Sequence, residues 1–147
     1  LAQINIDVEV LPMEPATLND KIYVDQEEAE VNMWYVNWSA SDFTMDGSVR
    51  SLLYSSMVPP TSANTAYYVN EDFDKLLDEG LATADPDKQA EIYGEAQTMA
   101  WEAAPWLFLG NDQILYAAKS YLSGAYLQTE HLTLHMQSLH SKENKNE

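Results

Sequence analysis

The residues most able to do chemistry lie in two polar stretches. Asp42 and Asp46 follow Trp38, and Arg50 stands four residues after Asp46. A carboxylate is the natural holder of an ammonium group, and a guanidinium fork suits a carboxylate better than a lysine does. Arg50 is the chain's only arginine, so a forked clamp has one candidate. Each residue also has a plainer role: Asp46 as a helix cap, Asp42 as a solvated acid, and Arg50 as the partner of Asp46 one helical turn away. Asn64, Thr65 and Tyr67 form the second stretch, a short polar loop that offers hydrogen bonds to a ligand or makes a simple turn. Trp38 provides a flat ring for a cleft wall or for the core.

Other chemistries find little support. The chain has no cysteine, which removes disulfides, thiolate nucleophiles and cysteine-based zinc sites. His131 and His135 are four apart and His140 follows, but no HExxH pattern accompanies them, so no metal site is expected. A GxSxG elbow and a GxxxxGK phosphate loop are absent from the sequence. Carboxylate pairs such as Asp42 with Asp46 abound in so acidic a chain and give only a weak pointer to a carbohydrate-active enzyme. Seven basic against 24 acidic residues give a net charge of -17, which repels nucleic acid and anionic membranes. No apolar run approaches the roughly 18 to 20 residues of a membrane span.

These candidates need elements to position them. In Ile4-Asn5-Ile6-Asp7-Val8-Glu9-Val10 apolar and polar residues alternate with the period of a strand, which Pro12 and Pro15 end. A weak helical stretch from Ala16 to Val24 leads to Val31–Trp38, an apolar, aromatic run of the kind that forms a strand covered on both faces. Strand, helix and strand in that order predict a right-handed crossover with parallel strands, hence an α/β fold. Ligands of such sheets sit beyond the carboxyl ends of strands, here the residues after Trp38.

Further along, a short helix is expected from Asp46 to Ser56 and a loop from Pro59-Pro60 to Asn70. From Glu71 the residues Phe73, Leu76, Leu77, Gly80 and Leu81 share one helical face. Asp85-Pro86 opens a second helix whose buried stripe is Ile92, Tyr93, Ala96, Met99, Ala100 and Ala103. Trp34, Trp101 and Trp106 are expected in the core. Extended segments are expected at Trp106–Leu109, Ile114–Ala118 and Tyr126–Met136, with a turn at Gly124 and a polar tail from Ser141 to Glu147. The chain opens at Leu1 without Met, basic n-region or signal-like segment, and is read as a fragment of one domain's size or less.

The order of these pieces resembles the closing third of the family 5 extracellular solute-binding proteins of peptide ABC importers. Four landmarks carry the resemblance: Leu1-Ala-Gln-Ile-Asn-Ile-Asp-Val-Glu-Val10, with Asn5 where the family usually has glycine; Asn37-Trp38-Ser39-Ala40-Ser41; Pro59-Pro60 with Asn64-Thr65-Ala66-Tyr67-Tyr68; and Ala104-Pro105-Trp106-Leu107-Phe108-Leu109. The second and third are most similar to the glutathione-binding branch. Dipeptide and oligopeptide captors of the family typically carry an aspartate where Ser41 stands.

The resemblance implies a partial type II periplasmic-binding-protein-like lobe, with a parallel sheet and flanking helices. Residues 1–110 would belong to one lobe, 111–138 would return to the other, and 139–147 would form a disordered tail. It implies a binding protein rather than an enzyme, without a cofactor, that captures glutathione or short peptides, closes about a hinge and delivers them to a membrane permease. Dipeptide, oligopeptide, nickel and haem capture are the alternatives within the family. The ligand-binding residues would be Trp38, Ser39, Ala40, Ser41, Asp42, Asp46, Arg50, Asn64, Thr65 and Tyr67. The parent would be an extracytoplasmic monomer, in the periplasm or at the cell surface.

Overall fold

The computed structural model describes residues 1–39, 44–111, 113, 115, 117, 119–123, 127–128, 133–134 and 140–141. Four helices dominate them: α1 (Pro15–Ile22), α2 (Met45–Leu53), α3 (Glu71–Ala82) and α4 (Pro86–Ala103). Two-residue strands β1 (Leu122–Ser123), β2 (Leu127–Gln128), β3 (Thr133–Leu134) and β4 (His140–Ser141) supply the described sheet. β1 pairs antiparallel with β4, and β2 with β3.

The helices begin where the sequence provides caps. Thr44 Oγ1 accepts from the Gly47 amide at the start of α2. Asn70 Oδ1 accepts from the Asp72 and Phe73 amides at α3, and Asp85 Oδ1 from the Asp87 and Lys88 amides at α4. Each oxygen satisfies donors that a helix's first turn leaves open. Pro86 fits the first turn of α4 because its missing N–H is no loss there. Ala104 ends α4 in the left-handed region, φ 49 and ψ 47.

α3 and α4 are joined by residues 83–85 and pack as a helical hairpin. The core gathers Leu52 and Leu53 of α2, Phe73 and Leu77 of α3, and Tyr93, Ala96 and Ala100 of α4. Tyr68 meets Phe73 edge to face at 5.5 Å. Gly80 makes the close approach of α3 to α4 possible: a Cβ there would lie 2.8 Å from the Tyr93 ring.

The helical expectations from Ala16 to Ala103 take shape, with corrections at their ends. Leu81 and Ala103 were expected on buried faces and are exposed. Trp101 was expected in the core and is 66% exposed, stacked on Phe108 at 5.9 Å, whereas Trp106 packs against the core edge. These positions lie at helix ends, where one neighbouring element no longer covers the stripe.

The expected strands at Ile4–Val10 and Val31–Trp38 carry no ladder, with each other or with any described residue. Residues 2–4 form a single 3-10 turn that ends at Asn5 in the left-handed region, φ 59 and ψ 35. Asparagine tolerates this conformation, which accounts for its standing where the resemblance expects glycine. Ile6, Val8 and Val10 are exposed, as are Met33, Tyr35 and Val36. Alternating or apolar runs encode readiness for burial in a sheet, and a ladder also needs a neighbouring strand. The described fold is therefore mostly helical with little sheet, and the parallel pairing of these two segments is not formed in it.

Tyr126–Met136 was expected as one extended piece; its described residues instead form two short strands, β2 and β3, paired antiparallel with each other. Gly124, Ile114, Ala118, His131, His135 and residues 142–147 lie outside the described residues. Among the described residues no helix is long and apolar enough to cross a membrane.

Candidate functional site

The most connected polar cluster joins α2, α3 and α4. One helical turn brings Asp46 and Arg50 together, and the pair is bidentate: Arg50 Nε donates to Asp46 Oδ2 at 2.8 Å and Nη2 to Oδ1 at 2.9 Å. Arg50 Nη1 donates to Asp78 Oδ1 of α3 at 2.9 Å. The Tyr93 hydroxyl of α4 donates to Asp46 Oδ1 at 3.0 Å, and the Tyr54 hydroxyl donates to Asp78 Oδ2 at 3.0 Å. The guanidinium carbon also lies 4.7 Å from the centroid of the Tyr54 ring, within cation–π range.

Burial grades across the cluster. The Arg50 and Asp46 side chains are 17% and 14% exposed, while Asp78 is 58% exposed at the rim. The hydrogen bond from Arg50, helped by that from Tyr54, holds the Asp78 carboxyl below the usual carboxylate range. Arg50 is pushed up in turn, chiefly by its bond to Asp46. Burial, then the bond to Asp46, pushes the Tyr93 hydroxyl up to about 12.

The second polar stretch connects to this cluster through Tyr54. Asn64 is fully buried, and its Nδ2 donates to the Tyr54 carbonyl at 3.2 Å and the Tyr68 carbonyl at 2.8 Å. Its Oδ1 accepts from the Tyr68 amide at 3.1 Å, so Asn64 organises the backbone of its own loop. Thr65 beside it is buried. Tyr67 stands at φ 50 and its hydroxyl donates to the Val24 carbonyl at 2.8 Å, which ties the loop to the segment after α1. Burial pushes this hydroxyl upward, and Asp25 adds to the effect. The Pro59–Pro60 bond at the head of the loop is cis.

The structure thus brings Asp46, Arg50 and Asn64 into one hydrogen-bonded region, with Thr65 adjacent and Tyr67 on the same loop. Trp38, 43% exposed, and Ser39 are solvent-facing, and no hydrogen bond, ion pair or ring contact joins them to the cluster among the described residues. Ala40, Ser41 and Asp42 lie outside the described residues. Asp46 sits in the first turn of α2 rather than at its cap, a place taken by Thr44.

Three cluster members escaped the sequence reading. Tyr54 lies one helical turn beyond Arg50, a spacing that could have flagged it. Asp78 and Tyr93 are 28 and 43 residues from Arg50 in sequence, and only the packing of α3 and α4 brings them in. Among the described residues no group of three His, Cys, Asp or Glu is arranged to hold a metal ion.

No protein-family model matches the chain. Curated relatives do. It is 33% identical over 131 residues to the glutathione-binding protein GsiB of Salmonella choleraesuis and to that of Salmonella typhi, and 32% identical to that of Escherichia coli K12. The matched region covers 88% of this chain and 26% of each relative, so the chain spans about a quarter of the length of these proteins. The resemblance to family 5 solute-binding proteins, nearest the glutathione branch, is borne out by these relatives.

Proposed function

We propose that this chain forms part of the extracytoplasmic substrate-binding component of an ABC importer for glutathione or short peptides. The observation that carries the reading is the similarity to glutathione-binding proteins along 131 residues, a length that must take in most of both polar stretches. A tripeptide-like ligand brings ammonium, carboxylate and amide groups, and its captor needs an acid, a cation and neutral hydrogen-bonders in a partly dry cleft. The Asp46–Arg50 pair and the Asn64–Tyr67 loop offer groups of these types, linked through Tyr54.

In this reading Trp38, Ser39, Ala40, Ser41, Asp42, Asp46, Arg50, Asn64, Thr65 and Tyr67 form one wall of the cleft. Asn64 and Tyr67 act through the loop backbone that they set, and Trp38 offers its exposed ring. Residues 1–110 belong to one lobe and 111–138 lead to the other; in the closing stretch 139–147, expected as a disordered tail, His140–Ser141 form β4 against β1. The lobes close about a hinge over the ligand, no bond is made or broken, and the permease receives the cargo.

A thermal-shift and calorimetric screen of the full-length parent tests the proposal with glutathione, di- and tripeptides, nickel, haem and sugars. Glutathione or a peptide of similar size raises the melting temperature and binds. Tight binding of nickel, haem or a sugar, with no response to any peptide, overturns the ligand class.

A further inference from the structure

The Asp46–Arg50 pair is unusual in being braced from outside its own helix. A lone i, i+4 pair on an exposed helix is a weak, mobile contact. Here α4 reaches Asp46 through the Tyr93 hydroxyl and α3 reaches Arg50 through Asp78, while Tyr54 lies against the guanidinium and bonds Asp78. Both charged groups are therefore fixed by two elements distant in sequence.

The braces leave bonding capacity unspent. A guanidinium has five N–H hydrogens. Among the described residues three of them are committed, one each from Nε, Nη1 and Nη2. One N–H on each terminal nitrogen remains for a further acceptor such as a ligand carboxylate. Asp46 Oδ1 accepts two bonds and Oδ2 one, which leaves Oδ2 able to accept a further donor such as an ammonium.

We infer that Tyr93 and Asp78 are positioning residues, which hold the Asp46–Arg50 pair in the orientation that meets the charged ends of a zwitterionic ligand. The inference builds on the reading above, in which Asp46 and Arg50 contact the peptide. Tyr93 and Asp78 touch the ligand only through this pair. Loss of either brace lets the pair swivel on the α2 surface, so affinity falls although both charged groups remain.

The test is calorimetric titration of the full-length parent with glutathione, alongside Tyr93→Phe, Asp78→Ala, Asp78→Asn and Asp85→Ala. Tyr93→Phe keeps the ring that packs against Gly80 and removes only the hydroxyl. Asp85→Ala removes the cap of α4 without touching the cluster, and so matches a general loss of stability. Tyr93→Phe and Asp78→Ala weaken binding by about ten- to a hundredfold, the effect of one hydrogen bond to a charged group. Asp78→Asn keeps an acceptor for Arg50 and recovers part of the loss, and Asp85→Ala binds like the parent at a lowered melting temperature. Parent-like binding by Tyr93→Phe and Asp78→Ala overturns the positioning role, as does an equal loss in Asp85→Ala, which would make the effect one of stability alone. A parent that binds no peptide refutes the peptide-captor reading itself, a result separate from either of these.

Discussion

At the scale of single residues, Arg50 organises the described polar chemistry. It neutralises Asp46, holds Asp78 and lies over Tyr54, so its removal leaves a mostly buried carboxylate with, among the described residues, the Tyr93 hydroxyl still bonded to it. We expect Arg50→Ala to cost about 1 to 3 kcal/mol of folding stability by chemical denaturation, the range for a buried polar group left short of a bond. Arg50→Lys recovers less than half of this, because an ammonium cannot bond Asp46 through two parallel N–H groups and reach Asp78 together. Tyr93 gives the cluster a pH signature. Its hydroxyl is pushed up to about 12, above its unfolded value near 10. Between those values the unfolded chain has lost the proton and the folded chain retains it, so stability falls as pH rises. The loss from this group approaches roughly 2 to 3 kcal/mol by pH 12. Urea unfolding at pH 9 and at pH 11.5 measures it, and Tyr93→Phe flattens this limb in part, since Tyr54 and Tyr67 are shifted in the same direction.

At the scale of elements, two glycines in the helical hairpin should respond to alanine with opposite signs. A methyl at Gly80 of α3 meets the Tyr93 ring at 2.8 Å, and that ring is buried and bonded to Asp46. Gly80→Ala should destabilise by about 1 to 3 kcal/mol through overpacking, less the gain in helix propensity. Nothing lies within 4 Å of a methyl at Gly94 of α4, so Gly94→Ala should stabilise by up to about 1 kcal/mol. Thermal melts of the two variants check the pair, and a shared sign would contradict the packing described for α3 and α4. The hairpin itself was legible in the sequence, because Asn70, Asp85 and Pro86 punctuate it and the apolar spacing of Phe73, Leu77, Tyr93, Ala96 and Ala100 has the helical period.

At the scale of the whole molecule, apolar surface lies open outside the core. Val10, Leu107, Leu109 and Leu115 are 72% to 88% exposed, and Trp101 and Phe108 present a stacked aromatic pair. Surfaces of this kind are covered by other protein or associate with themselves. The chain produced alone should therefore enhance the fluorescence of an apolar dye such as ANS several-fold over the full-length parent. Equal fluorescence from the two would mean that the parent leaves these residues open as well.

The sequence by itself determined what is local. The Asp85 cap, the proline at the start of α4 and the Asp46–Arg50 spacing depend on neighbours within a turn or two, and each took the expected form, whereas α2 is capped by Thr44 rather than Asp46 and the apolar faces lose their cover at Leu81 and Ala103. The kinship was legible for a similar reason, since ordered landmarks survive in the chain without reference to packing. The strand patterns at Ile4–Val10 and Val31–Trp38 were equally clear, but they specify only which faces seek burial; a ladder forms against a partner strand, and the described residues provide none. Tertiary structure alone decided the role of the polar residues. It buried Asn64 as the organiser of its loop, tied Tyr67 to Val24, and brought Asp78 and Tyr93 to a pair far from them in sequence. The physical reason is that a hydrogen bond is set by position in space, and positions across α2, α3 and α4 follow from how their apolar faces pack, which sequence spacing does not encode.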